Sequence, residues 1–166
     1  PISRISLDTK NVFIECTGTD HTKVGIVLDI VVTMFSEYCA KPFTIEPVEV
    51  IYEGKENGIN CPEIYPRLSQ REERASMKEV YGYLGLTPQE FTPEDCAILC
   101  NKMQLGPSHY DAEKDEIVSV IPPTRSDVLH AVDIIEDVAI AYGFNDIPES
   151  LPPTYTIGKP LRSEEH

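Results

Sequence analysis

The sequence predicts an α+β chain: a strand-helix-strand unit shaped like the tail of a larger α/β domain, then a winged-helix-like module of three helices and a β-hairpin. Three observations predict it. An apolar stretch at helical spacing lies between two strand-like runs within residues 1–53. A connector bearing charges and prolines, residues 54–74, interrupts the pattern. Two capped helices, an alternating hairpin and a long amphipathic helix then fill residues 75–150.

In the first unit, Asn11-Val12-Phe13-Ile14-Glu15-Cys16 reads as a short, mostly buried strand. Thr17 to Asp20 supplies turn chemistry and a helix N-cap. The helix expected from His21 to about Cys39 is apolar on nearly every side between Val24 and Phe35, so it must be covered on several faces. Residues 43–52 alternate like a strand, with Pro47 at an edge or bulge. A unit this small does not cover its own helix, and the chain opens on Pro1; a piece of a longer protein is expected.

In the second unit, Met77, Val80, Tyr81 and Leu84 face inward on a helix from about Ser76 to Leu84, which Gly85 stops. Thr92-Pro93-Glu94-Asp95 is a helix start: an N-cap, a proline at the first position, then acids against the positive end of the helix dipole. That helix runs to about Met103. Residues 108–111 and 116–121 form a hairpin around Ala112 to Asp115, and Pro122-Pro123 ends its second strand. The third helix is expected from Asp127 to Gly143. Val128, Val132, Ile135, Ala139 and Tyr142, joined by Ile134 and Val138, form its apolar stripe. Residues 151–166 read as an extended or disordered tail.

Composition narrows the function classes. The net charge is −14, and residues 90–149 hold 13 acids against 3 bases. Such a stretch seeks cations or a basic protein surface, so this piece is not expected to bind DNA. No apolar run reaches the roughly 18 residues that a membrane span needs. Five cysteines without a C-x-x-C pair suggest reduced thiols in a cytosolic compartment. Cys96 and Cys100, at i and i+4, are expected as buried core thiols rather than zinc ligands. No Ser-His-Asp set, phosphate-binding loop or dinucleotide glycine pattern is present, and no catalytic residue is assigned.

The sharpest local feature is acidic. Asp133, Glu136 and Asp137 stand at i, i+3 and i+4 of the third helix, with Asp127 at its entrance. Those spacings stack three carboxylates on one face, where they repel one another. A divalent cation, a basic partner or plain solvation each relieves such a cluster, and spacing alone leaves all three open. Asp127 is also a good N-cap type. Arg125 is placed to pair with Asp127 or with a helix carboxylate, and His130 projects near the acidic face. Among metals, magnesium suits an all-oxygen set.

The runs TKNVFIECTGTD, MFSEYC, FTIEPVEVIY and PPTRSDVLHAVDIIEDVAIAYGFNDIP resemble the beta subunit of phenylalanine–tRNA ligase in its archaeal and eukaryotic cytosolic form. The likeness covers almost the whole chain: the end of that subunit's editing domain (its third and fourth modules), then its fifth module, B-five. Phe144 stands where many relatives carry tyrosine, a mild difference. The resemblance implies a cytoplasmic heterotetramer of two alpha and two beta subunits that uses ATP to charge tRNA with phenylalanine, with the chemistry in the alpha subunit. It implies that Asp127, Asp133, Glu136 and Asp137 bind a magnesium ion shared with the alpha subunit. It further implies that residues 1–53 close the domain that hydrolyses mischarged tyrosine, with Glu15 recognising the tyrosine hydroxyl. Telling an added hydroxyl apart requires such a positioned polar partner. On this view the piece supports assembly and has no activity alone. The rival reading is a stand-alone winged-helix-like protein- or nucleic-acid-interaction module.

Overall fold

The computed structural model describes residues 4–51, 62–151 and 158. Helix α1 spans His21–Ser36 and opens as its turn chemistry predicts: the Asp20 carboxylate accepts the Lys23 backbone N–H at 3.0 Å. It stops short of Cys39. Its buried stripe is Gly25, Asp29, Val32 and Ser36, while Val27, Met34 and Phe35 stay exposed. A helix apolar on most sides is therefore covered on one side among the described residues. Polar contacts fix that side. The Asp29 carboxylate accepts the Arg67 backbone N–H at 3.1 Å. Burial pushes its pKa up, and the backbone donors of Arg67 and Leu68 oppose that shift.

Strand β1, Val48–Val50, pairs antiparallel with β2, Glu63–Tyr65, so that Val48 faces Tyr65 and Val50 faces Glu63. The His21 ring joins α1 to this ribbon, with Nε2 3.0 Å from the Glu63 carboxylate and 2.7 Å from the Tyr65 hydroxyl. Two expectations are corrected here. Residues 11–16 are not a strand: no described strand lies beside them, and extended backbone without a partner forms no ladder. Within residues 43–51, only 48–50 are strand, and Tyr52 lies outside the described residues.

The connector expected over 54–74 also carries structure. β2 lies within it, and so do the first residues of β3, Arg71–Ser76; residues 54–61 lie outside the described residues. So does the expected tail, apart from Leu151 and Gly158. β3 forms the edge of a three-stranded antiparallel sheet with β4, Ser108–Asp111, and β5, Glu116–Ile121, in the order β3-β5-β4. β5 is central and buries Ile117, Val118, Ser119 and Ile121, the pattern of a strand covered on both faces.

Three helices pack on this sheet. α2, Met77–Leu84, is capped by the Ser76 hydroxyl, which accepts the Glu79 N–H at 3.2 Å; Gly85 ends it at φ 66°, a left-handed conformation suited to glycine. α3, Pro93–Lys102, starts with the reciprocal capping box of Thr92 and Asp95. α4 spans Ala131–Tyr142. Met77, Val80, Leu84, Ile117, Ile134 and Val138 form the middle of the shared core, fully or almost fully buried. Cys96 and Cys100 lie inside it, as expected of core thiols. Phe91 meets Tyr142 edge to face at 5.6 Å, closing the α3–α4 end. The winged-helix-like module is thus present with an additional strand, β3.

The third expected helix is shifted. α4 starts at Ala131 rather than Asp127; Val128 is fully buried from the loop before it, and Val132 of the expected stripe is half exposed.

Candidate functional site

The β5–α4 loop, residues 122–130, is short of regular hydrogen bonds, and two arginines supply what the backbone does not. Arg71 of β3 donates from Nη2 to the Val128 carbonyl at 2.6 Å and to the Arg125 carbonyl at 3.3 Å. The Arg125 N–H closes a turn on the Pro122 carbonyl at 3.0 Å. Its guanidinium then spans three elements. Nε lies 3.1 Å from Oδ1 of Asp127, and Nη2 lies 2.8 Å from Oδ2 of the same carboxylate. Nη2 also donates to Oδ2 of Asp137 at 2.7 Å, and Nη1 to the Met103 carbonyl at the end of α3 at 2.8 Å. One planar cation thereby joins the loop, α4 and the C-terminus of α3, a geometry that arginine's fixed fork allows and lysine's point charge does not.

The four candidate acids end in three environments. Asp137 is 6% exposed and rests on Arg125. Asp127 is largely solvent-facing and does not cap the helix; it is chelated by Arg125 from two residues away. Asp133, at the third position of α4, turns back so that Oδ2 accepts the backbone N–H groups of Leu129 at 2.7 Å and His130 at 2.8 Å. It thus satisfies donors that a helix start leaves open. Glu136 is exposed and has no hydrogen bond or ion pair among the described residues. The face that spacing places in one stack is divided by these partners.

Electrostatics follow the contacts. The Arg125 hydrogen bonds hold the Asp127 carboxyl below its usual range, and the backbone N–H groups of Leu129 and His130 do the same for Asp133. Hydrogen bonds to Asp127 and Asp137 raise the Arg125 pKa further above its already high value.

Among the described residues no group of three or more His, Cys, Asp or Glu side chains is arranged to hold a metal ion. Two of the four acids are occupied by a guanidinium, and one oxygen of a third by backbone donors. The set therefore does not fit a self-contained magnesium centre. Glu136 and Oδ1 of both Asp133 and Asp137 are the carboxylate oxygens without a hydrogen bond among the described residues, and of these acids Asp137 is nearly buried. His130, in the N-cap position, brings its backbone N–H to Asp133.

Glu15 sits apart from this cluster, exposed on irregular backbone with no hydrogen bond among the described residues. The residues that sequence reasoning missed are Arg71 and the Met103 carbonyl. Arg71 lies in a charged run, REER, that does not advertise a strand. His21, at the first position of α1, reaches across to β2.

Residues 74–144 match the family model of the tRNA synthetase B5 domain. The phenylalanine–tRNA ligase beta subunit of Caenorhabditis elegans is 48% identical over 155 residues, covering 93% of this chain and 25% of the relative. The human beta subunit is 47% identical over 156 residues, covering 93% and 25%. That of Saccharomyces cerevisiae is 42% identical over 161 residues, covering 96% and 26%. The crystal structure of an N-terminal fragment of the phenylalanyl-tRNA synthetase beta subunit from Pyrococcus horikoshii aligns with a TM-score of 0.58 at 26% identity, over 74% of this chain and 31% of that one. The chain spans about a quarter of the length of the beta subunits it matches. Along nearly all its length the chain is thus a homologue of part of the phenylalanine–tRNA ligase beta subunit, and residues 74–144 match the B5 domain.

Proposed function

We propose that the chain works as part of a beta subunit which pairs with an alpha subunit in a cytoplasmic α2β2 assembly and charges tRNA with phenylalanine using ATP. The observation that carries this reading is the 42–48% identity to beta subunits along more than nine-tenths of the chain. The catalytic centre lies in the alpha subunit, and no residue here is catalytic. Residues 75–150 support assembly through the acidic start of α4. The magnesium shared with the alpha subunit falls to Glu136 and Oδ1 of Asp133, while Asp127 and Asp137 are engaged by Arg125. Magnesium keeps several waters and takes one or two carboxylates from a protein, so the remaining ligands are water and oxygens of the partner. Residues 1–53 close the domain that removes mischarged tyrosine. Glu15, a carboxylate without a partner among the described residues, recognises the tyrosine hydroxyl.

The test is phenylalanine esterification of tRNA by the beta subunit carrying this segment, co-expressed with an alpha subunit. Wild type is compared with the Asp133→Asn, Glu136→Gln pair across a magnesium titration. Co-purification and charging in wild type, with a raised magnesium requirement in the variant, support the reading. Wild type that neither assembles nor charges tRNA refutes it. Charging with an unchanged magnesium requirement leaves the ligase and removes the metal from these acids.

A further inference from the structure

We propose that Arg125 is a built-in counter-cation: its guanidinium does for Asp127 and Asp137 what a divalent ion does in a metal-stapled loop, so the α4 entrance folds without metal. The argument stands on geometry and does not draw on the ligase reading. Asp137 is nearly buried, and a carboxylate there requires compensation. Arg125 Nη2 provides it at 2.7 Å. The same nitrogen reaches Asp127 at 2.8 Å, with Nε parallel to it, so both carboxylates share one cation. The Arg125 side chain is itself 80% shielded, and Nη1 is fixed by the Met103 carbonyl, so the cation is anchored in place. Arg71 donates to the Arg125 and Val128 carbonyls of the same loop. No fully buried side-chain polar atom among the described residues lacks a hydrogen-bond partner.

A consequence is a division of labour that acid spacing alone does not show. Asp127 and Asp137 belong to the arginine, and a metal reaching this face finds Glu136 and Asp133. Removing the guanidinium while keeping its apolar stem converts Asp127 and Asp137 into an uncompensated pair, and magnesium then gains a site it lacked.

The experiment is thermal unfolding of the 166-residue chain in EDTA, in excess magnesium chloride, and in sodium chloride of equal ionic strength. The variants are Arg125→Met and the charge-neutral triple Arg125→Met, Asp127→Asn, Asp137→Asn. Wild type is expected to melt within about 1 °C in all three buffers. Arg125→Met is expected to lose about 6 °C or more, to regain part of it in magnesium but not in sodium, and the triple variant to regain at least half in every buffer. If Arg125→Met does not fold, the triple variant decides: a folded triple supports charge compensation, an unfolded one overturns it. Wild type stabilised by magnesium well beyond matched sodium chloride, with that gain intact in Asp133→Asn, Glu136→Gln, overturns the proposal too, since the ion would then sit on the pair held by Arg125.

Discussion

The Arg125 guanidinium and the Asp137 carboxylate, twelve residues apart in sequence, meet at 2.7 Å at the middle of α4. Their contact fixes the register between the β5–α4 loop and the helix, and through the Met103 carbonyl it also fixes α3. Acids that read as a stack of repelling charges are divided in the folded chain: Asp127 and Asp137 share Arg125, Asp133 takes backbone N–H groups, and Glu136 is exposed.

The first prediction concerns that contact. Asp137→Ala strands Arg125 without its buried partner. Breaking a buried pair from one side costs about 3–5 kcal/mol, and the one-fifth exposure of Arg125 places this case near the lower end. Urea unfolding is expected to show a loss of about 3 kcal/mol. A loss below about 0.5 kcal/mol, the usual range for surface substitutions, would mean the pair is ornamental.

Acid stability tests the depressed carboxylates. Asp127 and Asp133 titrate below their ordinary 3.8 because Arg125 and two backbone N–H groups prefer their charged forms. A group depressed in the folded state contributes stability above its unfolded pKa and loses it as pH falls through the folded value. The urea midpoint is therefore expected to drop below about pH 4, and Asp133→Asn to flatten that drop. Asp29 works with the opposite sign: burial raises its pKa, so its protonation on acidification favours the folded state. An unchanged acid limb in Asp133→Asn would remove the helix-start role of Asp133.

Gly85 provides a backbone test free of packing. It sits at φ 66°, and an added Cβ meets no atom within 4 Å. Gly85→Ala is thus expected to cost only the left-handed backbone penalty, about 1–2 kcal/mol. Denaturant unfolding that shows no loss would mean the α2 terminus relaxes to another conformation.

Glu136 separates stability from function. It has no partner among the described residues, so Glu136→Gln is expected to leave unfolding within about 0.5 kcal/mol of wild type. On the proposed ligase reading, the same change is expected to raise the magnesium needed for tRNA charging. A large stability loss with unaltered charging would reverse the assignment.

Local chemistry was legible in the sequence wherever it acts within one or two turns. Asp20, Thr92 and Gly85 mark their helix ends because capping involves neighbours a few residues away. The hairpin of β4 and β5 and the burial of Cys96 and Cys100 follow from alternation and helical spacing in the same way. β3 was hidden because REERAS buries only Ala75 and gains its identity from β5, with Arg71 paired to Ile121. Residues 11–16 have strand composition but no described neighbour to pair with, and propensity does not supply one. At the candidate site, spacing correctly put Asp133, Glu136 and Asp137 on one helix and Arg125 within reach. Which acid the arginine takes depends on the loop's path between Pro122 and His130, which Arg71 sets from a strand that the sequence conceals.

The most direct test is a crystal structure of the chain grown with manganese chloride, with anomalous scattering marking every bound ion. The account predicts the Arg125 guanidinium seated between Asp127 and Asp137, with no manganese on either carboxylate and any ion on this face at Glu136 and Asp133. Manganese bound directly to Asp127 and Asp137, with the guanidinium displaced, would contradict it.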